Sequence, residues 1–297
     1  MIIGSRGSAL ALVQTELVRA LLRKKGIESD IRIVKTTGDT FADRPLRELS
    51  GVGVFVREID ELMLGGEIDA AVHSMKDIPT ERPKELIIAA VLRRSSPYDA
   101  LVSDYKLDEL PRGAIVGTSS MRRRAQLLRL RSDLIIQDIR GNVDTRLRKL
   151  RQGDYDAIIM AEAALERMDL VVEAKRLPFL PSANQGTIAV VTKKGTEAEE
   201  CIRVFDHRPS RVETEVERTI LKVLGGGCIV PMGILAQAND EIAVQAEVLS
   251  PDGDRCVSIK RSIHVSNYKS AAVEIGTDLK NKGGAELIEE TIKRIRG

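Results

Sequence analysis

Tryptophan is absent from this 297-residue chain, and phenylalanine and tyrosine number only four each. Little is therefore available on which to stack nucleobases. The formal net charge of +2 is also too small to mark a nucleic-acid binder. No apolar run approaches the ~20 residues needed to cross a bilayer, so no membrane partner is expected. Arg6 arrives almost at once and no signal-type apolar core follows, so a cytoplasmic location is expected. The three cysteines, Cys201, Cys228 and Cys256, are odd in number and far apart. Without C-x-x-C spacing they argue against a disulfide framework or a zinc site. Three histidines and no H-E-x-x-H leave no metal site to expect. Walker A and G-x-G-x-x-G patterns are missing too, which removes the common nucleotide fingerprints.

What is present reads as an ordinary globular protein, 43% hydrophobic and 30% charged, long enough for two or three domains. Strand-like and helix-like segments alternate to about residue 205. "MII" is a short strand, and Ala9 to Lys25 is an amphipathic helix stopped by Gly26. "DIRIVKT", "DAAVHSM", "LIIAAVL", "AIVGTSS", "DLIIQDIR", "DAIIMA" and "TIAVVTKK" are further strands. Such alternation predicts parallel sheets covered on both faces. After a helix from Val212 to Leu224, "GILAQAN", "EIAVQAEVLSPDGDR" and "VSIKRSIHV" predict antiparallel strands with a Pro-Asp-Gly turn. The fold class is thus α/β: two α/β lobes and a small C-terminal α+β domain. The expected boundaries are 1–93 with a return at 187–205, then 97–183, then 208–297.

Four kinds of motif carry candidate chemistry. Three strand ends open into helices through small polar residues and arginine: "GSRGSAL" (4–10), "GTSSMRRR" (117–124) and "RGNVDTR" (140–146). Free helix N-terminal amides and hydroxyls cradle anions, and arginine offers a fork for carboxylate or phosphate. The plainer alternative makes the serines N-caps and the arginines solvated helix faces. "AAVHSMKDIP" (70–79) ends a buried-looking strand in Lys76-Asp77. A carboxylate there is expected to be partly desolvated, unless it only caps a turn. His73, inside that strand, reads as a satisfied core or supporting histidine. "RELSGVGVFVRE" (47–58) suggests a glycine-rich lid with Phe55 at a helix start, or a plain connector with Phe55 in the core. "VLGGGCIVPMG" (223–233) sets Cys228 behind three glycines, accessible on a chain that bends sharply. A thiol placed so serves as transient nucleophile, permanent anchor or merely a small hydrophobe at a turn.

Taken together, these residues resemble the porphobilinogen deaminase (hydroxymethylbilane synthase) family. "ERTILKVLGGGCIVPMG" (217–233) is similar end to end to that family's cofactor-attachment signature. "HSMKDIP", "VGTSSMRRR", "RGNVDTRL" and "NQG" (184–186) stand in the family's order. The resemblance implies lobes like those of periplasmic binding proteins, with the active site in the cleft between them. It implies a dipyrromethane cofactor bound to Cys228 by a thioether, and a transferase that condenses four porphobilinogen units into hydroxymethylbilane for heme and other tetrapyrroles. It assigns Asp77 as the catalytic carboxylate that stabilises the developing cationic, azafulvene-type species. Ser74, Lys76, Thr118, Ser119, Ser120, Arg122, Arg123, Arg140 and Gly186 would hold the cofactor. Arg6, Ser8, Phe55, Arg140, Arg146, Arg167 and Gln185 would face the substrate. A monomer is expected, with the family allowing transient hand-over of product to uroporphyrinogen III synthase. Two departures stand out. Val52 and Glu48 occupy positions where many members carry lysine, leaving Arg47 or Arg57 to substitute, and Asn184 stands where glycine is frequent. The rival class is a non-catalytic two-lobed protein that binds or senses a small anion. A nucleic-acid binder built around "MRRRAQLLRLRSD" is the remoter rival, marked by steep salt dependence.

Overall fold

The computed structural model describes residues 1–40 and 55–296. The chain starts with β1 (Ile2–Arg6), α1 (Ala9–Arg23), β2 (Asp30–Val34), α2 (Thr37–Thr40), α3 (Arg57–Leu64), β3 (Ala70–Ser74) and β4 (Leu86–Val91). It continues through β5 (Asp99–Val102), β6 (Ile115–Gly117), α4 (Met121–Leu130), β7 (Ile135–Gln137), α5 (Val143–Arg151), β8 (Ala157–Ala161), α6 (Glu162–Arg167) and β9 (Ala174–Arg176). Then follow β10 (Ile188–Lys193), α7 (Glu197–Arg203), α8 (Arg208–Leu224), β11 (Met232–Ala238), β12 (Ile242–Leu249), β13 (Cys256–Ile263), α9 (Tyr268–Leu279) and α10 (Ala285–Arg296). These elements condense into two compact units. One comprises residues 1–95, 166–169 and 186–211; the other comprises 96–165, 170–185 and 212–297.

The first unit holds a five-stranded sheet in the order β2-β1-β3-β10-β4. Period-two alternation along β3 divides its core. Ala71 and Met75 pack with Ile59 and Met63 of α3 on one face. Ala70 and Val72 pack with Val18 and Leu22 of α1 and Ile202 of α7 on the other. Each fully buried leucine or valine contributes about 1.5–3 kcal/mol.

The second unit contains an analogous sheet, β7-β6-β8-β5-β9, and the antiparallel sheet β11-β12-β13. Leu127 of α4 packs on Leu101, Val116 and Ile159. Leu147 of α5 and Leu165 of α6 cover the opposite face through Ala100, Val102 and Ile158. The antiparallel sheet buries Ile234, Val244 and Val248 against Val216 of α8, Ile275 of α9 and Leu287 of α10.

Neither five-stranded sheet is wholly parallel, contrary to what alternation alone predicts. β10 runs antiparallel to β3 and β4, and β5 runs antiparallel to β8 and β9. Each of these strands follows the point where the chain passes from one unit to the other. It enters its sheet without a preceding crossover helix, so nothing constrains it to the parallel sense.

Candidate active site

In the first unit, β1 delivers Arg6 at its C-terminal end, beside the start of α1. Ser8 is the N-cap of α1 and accepts from the Ala11 amide, as the plainer alternative had it. Arg6 is held on both sides. Its Nε donates to Asp39 Oδ1 at 3.2 Å and its Nη2 to the same atom at 2.5 Å. The Phe55 ring lies 4.1 Å from its guanidinium carbon, a cation–π contact. Phe55 fits there because Gly38 lacks a Cβ; one would fall 2.1 Å from Phe55 Cε1. Asp39 also accepts from the Thr36 hydroxyl at 2.7 Å. Burial pushes the Asp39 carboxyl up, but the Arg6 and Thr36 contacts outweigh it and hold it below the usual range.

β3 leads into a short 3₁₀ turn, Met75–Asp77. Ser74 Oγ accepts from Gln14 Nε2 at 3.0 Å. Lys76 and Asp77 are exposed, so the expected desolvation of Asp77 is not what this unit shows. The reason is local: the turn carries the chain off the sheet before the carboxylate is reached, and Met75 takes the buried place, 2% exposed. His73 is a core residue, but among the described residues its buried Nε2 has no hydrogen-bond partner to satisfy it. Burial first, then the Arg82 and Arg6 charges, push it down to about 3.

Arg167 closes α6. Its Nη2 donates to Ser95 Oγ and to the carbonyl of Gly186, while its buried Nε has no partner. Burial pushes it down to about 10, against the Glu166 charge. Gly186, with φ of +85°, also accepts the Ser95 amide at 3.0 Å.

In the second unit, β6 ends at Gly117 and α4 begins four residues on. Thr118 Oγ1 accepts from the Ser120 amide, Ser119 Oγ donates to the Ile139 carbonyl, and Ser120 caps α4 by accepting from the Arg123 amide. Arg122 and Arg123 are 5% and 8% exposed and turn inward to one carboxylate, Asp99, which is fully buried. Arg123 donates through Nε and Nη2 to Asp99 Oδ1 at 3.0 and 2.7 Å, and through Nη1 to the Ile159 carbonyl. Arg122 Nη1 donates to the Leu180 carbonyl at 2.9 Å. The same nitrogen lies 2.8 Å from Asp99 Oδ2, an ion pair within the buried cluster. Gln185 adds a bond from Nε2 to Asp99 Oδ1 at 2.9 Å. Burial works to raise the Asp99 carboxyl, but the two guanidiniums hold it well below the usual range.

The neighbouring junction differs. Gly141, with φ of +105°, turns the chain into α5, where a Cβ would fall 2.6 Å from Thr145. Arg146 is half-buried and its Nε donates to the Gly141 carbonyl at 2.8 Å. Among the described residues neither Arg140 nor Arg146 has an ion-pair partner. Burial, then the Arg123 and Arg140 charges, push Arg146 down to about 10. Arg146 is therefore close enough to feel the charges of both Arg123 and Arg140.

The backbone of Cys228 sits in a 3₁₀ turn, Gly227–Ile229, after Gly225, Gly226 and Gly227 at φ of +74°, +79° and +59°. Three left-handed residues in succession suit only glycine. Asn184 adopts φ of +65°, which asparagine tolerates, and its amide donates to the buried Glu217 carboxylate. Arg47, Glu48 and Val52 of the glycine-rich stretch lie outside the described residues. Among the described residues no group of three or more His, Cys, Asp or Glu is arranged to hold a metal, and no helix is long and apolar enough to cross a membrane.

Sequence reasoning missed Asp39 and Asp99, the carboxylates that occupy Arg6, Arg122 and Arg123. Asp99 had a signal: in "SSPYDALV" it opens an apolar strand, where an unpaired charge would be too costly to bury.

Known proteins resemble this chain in sequence. Residues 1–200 match the model of the "porphobilinogen deaminase, dipyromethane cofactor binding domain", and residues 212–282 match the porphobilinogen deaminase C-terminal domain. The probable porphobilinogen deaminase of Methanococcoides burtonii is 55% identical, covering 100% of this chain and 99% of the relative. The porphobilinogen deaminase of Sulfurimonas denitrificans is 39% identical, covering 97% and 96%. Among solved structures, a periplasmic substrate-binding protein of an ABC transporter from Coxiella burnetii superposes with a TM-score of 0.43 at 13% identity, covering 69% of this chain and 91% of that one. The chain belongs to the porphobilinogen deaminase family.

Proposed function

We propose that this protein is a hydroxymethylbilane synthase. It joins four porphobilinogen molecules head to tail on a dipyrromethane anchored at Cys228, loses ammonia at each step, and releases the linear tetrapyrrole by hydrolysis. The observation that carries this reading is the charge imbalance at the α5 junction. Arg140 and Arg146 have no ion-pair partner among the described residues, and burial already disfavours the Arg146 charge. A site that keeps partly buried guanidiniums unpaired is built for a ligand that brings carboxylates. Each pyrrole of dipyrromethane and of porphobilinogen bears an acetate and a propionate, so the cofactor and the growing chain are polyanions that fit this donor set. The unpartnered buried Nε of Arg167 fits it as well.

The dipyrromethane supplies the free pyrrole carbon at which new units are joined. The chain's own residues do the rest. Arg140 and Arg146 grip carboxylates of the bound chain. Arg122 and Arg123, locked on Asp99, set the positive field behind Ser119 and Ser120 at the start of α4. Arg6, Ser8 and Phe55 receive the incoming substrate, with Asp39 as the internal carboxylate on Arg6 that a substrate carboxylate replaces. Asp77 holds its negative charge beside the pyrrole N–H, stabilises the positive charge that develops as ammonia leaves, and helps move protons. Lys76 faces cofactor carboxylates. The glycine loop lets Cys228 hold the tether at a sharp bend.

The test is the intact mass of the purified protein under denaturing conditions, beside a Cys228→Ser variant. A two-pyrrole adduct on the wild type alone is the expected result. An unmodified wild-type mass, before and after incubation with porphobilinogen, would overturn the reading and favour a non-catalytic anion-binding protein.

A further inference from the structure

The second unit contains a cleft of about 700 Å³ between the antiparallel sheet, the end of α4 and the segment 177–181. None of the residues assigned above to catalysis, cofactor or substrate lines it. The strand register explains its character. Gln245 faces Lys260 and Glu247 faces Ser258 across β12 and β13, while the intervening Ala246 and Ile259 turn into the core. The sheet therefore buries one face and presents a polar face to the cleft. The opposite wall is apolar: Leu130 is 49% exposed, and exposed Pro178 continues it.

Two cations edge this cleft outside any ion pair among the described residues. Among the described residues, neither exposed Arg129 nor exposed Lys260 has an ion-pair or hydrogen-bond partner. Arg176, by contrast, is paired with Glu162 and lies 4.4 Å over the Tyr98 ring. The one carboxyl lining the interior, Glu247, makes only a weak contact to Cys256 Sγ at 3.8 Å. Burial pushes that carboxyl up, against the Arg122 and Arg129 charges, so its own charge is the one the cleft disfavours.

We propose that this cleft is a second ligand site, for a small organic anion with an apolar body. The anionic group sits between Arg129 and Lys260, the body lies on Leu130 and Pro178, and Gln245 and Ser258 offer hydrogen bonds. Apolar walls with a few convergent polar groups are the usual make-up of small-molecule sites. The site touches the machinery through the backbone of one residue. Leu180, on the cleft wall, receives hydrogen bonds at its carbonyl from Arg122 and from Gln126, and its amide donates to Gln126 Oε1. An occupant pressing on segment 177–181 thus bears on the residue that orients Arg122 beside Asp99.

The test uses 8-anilinonaphthalene-1-sulfonate, an aromatic body with one sulfonate, titrated into the full-length folded protein and followed by fluorescence and by equilibrium dialysis. One saturable site per chain is expected. Binding should weaken at least about tenfold, ~1.4 kcal/mol, in Lys260→Glu and in Arg129→Glu, both exposed positions, and should be blocked by Ser258→Trp. Arg140→Gln should leave it unchanged. The absence of saturable binding, equal binding in both charge-reversal variants, or loss of binding in Arg140→Gln would each overturn the proposal. Binding is read without turnover, so its failure leaves the Cys228 mass test standing, and the reverse.

Discussion

At the start of α4, Arg122 and Arg123 share a fully buried carboxylate; at the start of α5, Arg140 and Arg146 have none among the described residues. Both junctions follow a parallel strand and both are rich in small polar residues and arginine. The difference lies in Asp99, delivered by β5, a strand that pairs with β8 and never touches either junction in sequence. A buried arginine with a counter-charge holds structure together. A buried arginine without one is costly on its own and gains most when a ligand supplies the carboxylate. Residue type marks both places alike, whereas the partner distinguishes support from grip.

The sharpest way to break this contrast is Asp99→Asn. It leaves two buried guanidiniums facing a neutral amide, and a loss of about 3–5 kcal/mol in unfolding free energy is expected, measured by urea denaturation. A loss below ~1 kcal/mol would mean that Asp99 is not the counter-charge. Arg146→Gln should behave oppositely. Stability should stay level or rise, because a disfavoured charge is removed. Turnover of porphobilinogen should fall about tenfold to a hundredfold, the worth of a charged hydrogen bond of ~1.5–3 kcal/mol. A variant that lost stability and turnover together would place Arg146 with the supporting pair.

His73 extends the comparison to a buried base whose Nε2 has no hydrogen-bond partner among the described residues. Its folded value of about 3 lies below its ordinary 6.5. Between those values the unfolded chain holds one more proton than the folded chain, so this contribution to stability is present above pH 6.5 and is lost as pH falls. The expected slope is about 1.4 kcal/mol per pH unit from this one group. Denaturation of the wild type and of His73→Gln at pH 7 and pH 5 should show the smaller drop in the variant. Parallel pH dependence in the two proteins would remove His73 from the acid limb.

Much of the fold was legible because it depends on short-range pattern. Alternating apolar residues announced the strands, Ser8 and Ser120 announced helix starts, and Pro251-Asp252-Gly253 announced the β12–β13 turn. Helix propensity, capping and strand periodicity act within a few residues, so a linear reading finds them. The antiparallel insertion of β5 and β10 was not legible, since both are short, mostly apolar strands whose direction is set by neighbours from distant parts of the chain. The exposure of Asp77 escaped for a related reason. Apolar residues before it predicted a buried strand end, but the 3₁₀ turn buries Met75 and lifts Asp77 off the sheet.

By itself, then, the sequence determined which residues are chemically capable: the arginine-bearing junctions, Asp77 at a strand end, and Cys228 behind three glycines. These follow from residue type and local spacing, which the chain carries into any context. Only the tertiary structure decided which of those residues are already engaged. Asp39 reaches Arg6 across 33 positions and Asp99 reaches Arg123 across 24. Charge pairing at that range is settled by which strands become neighbours and by how little water is left between them.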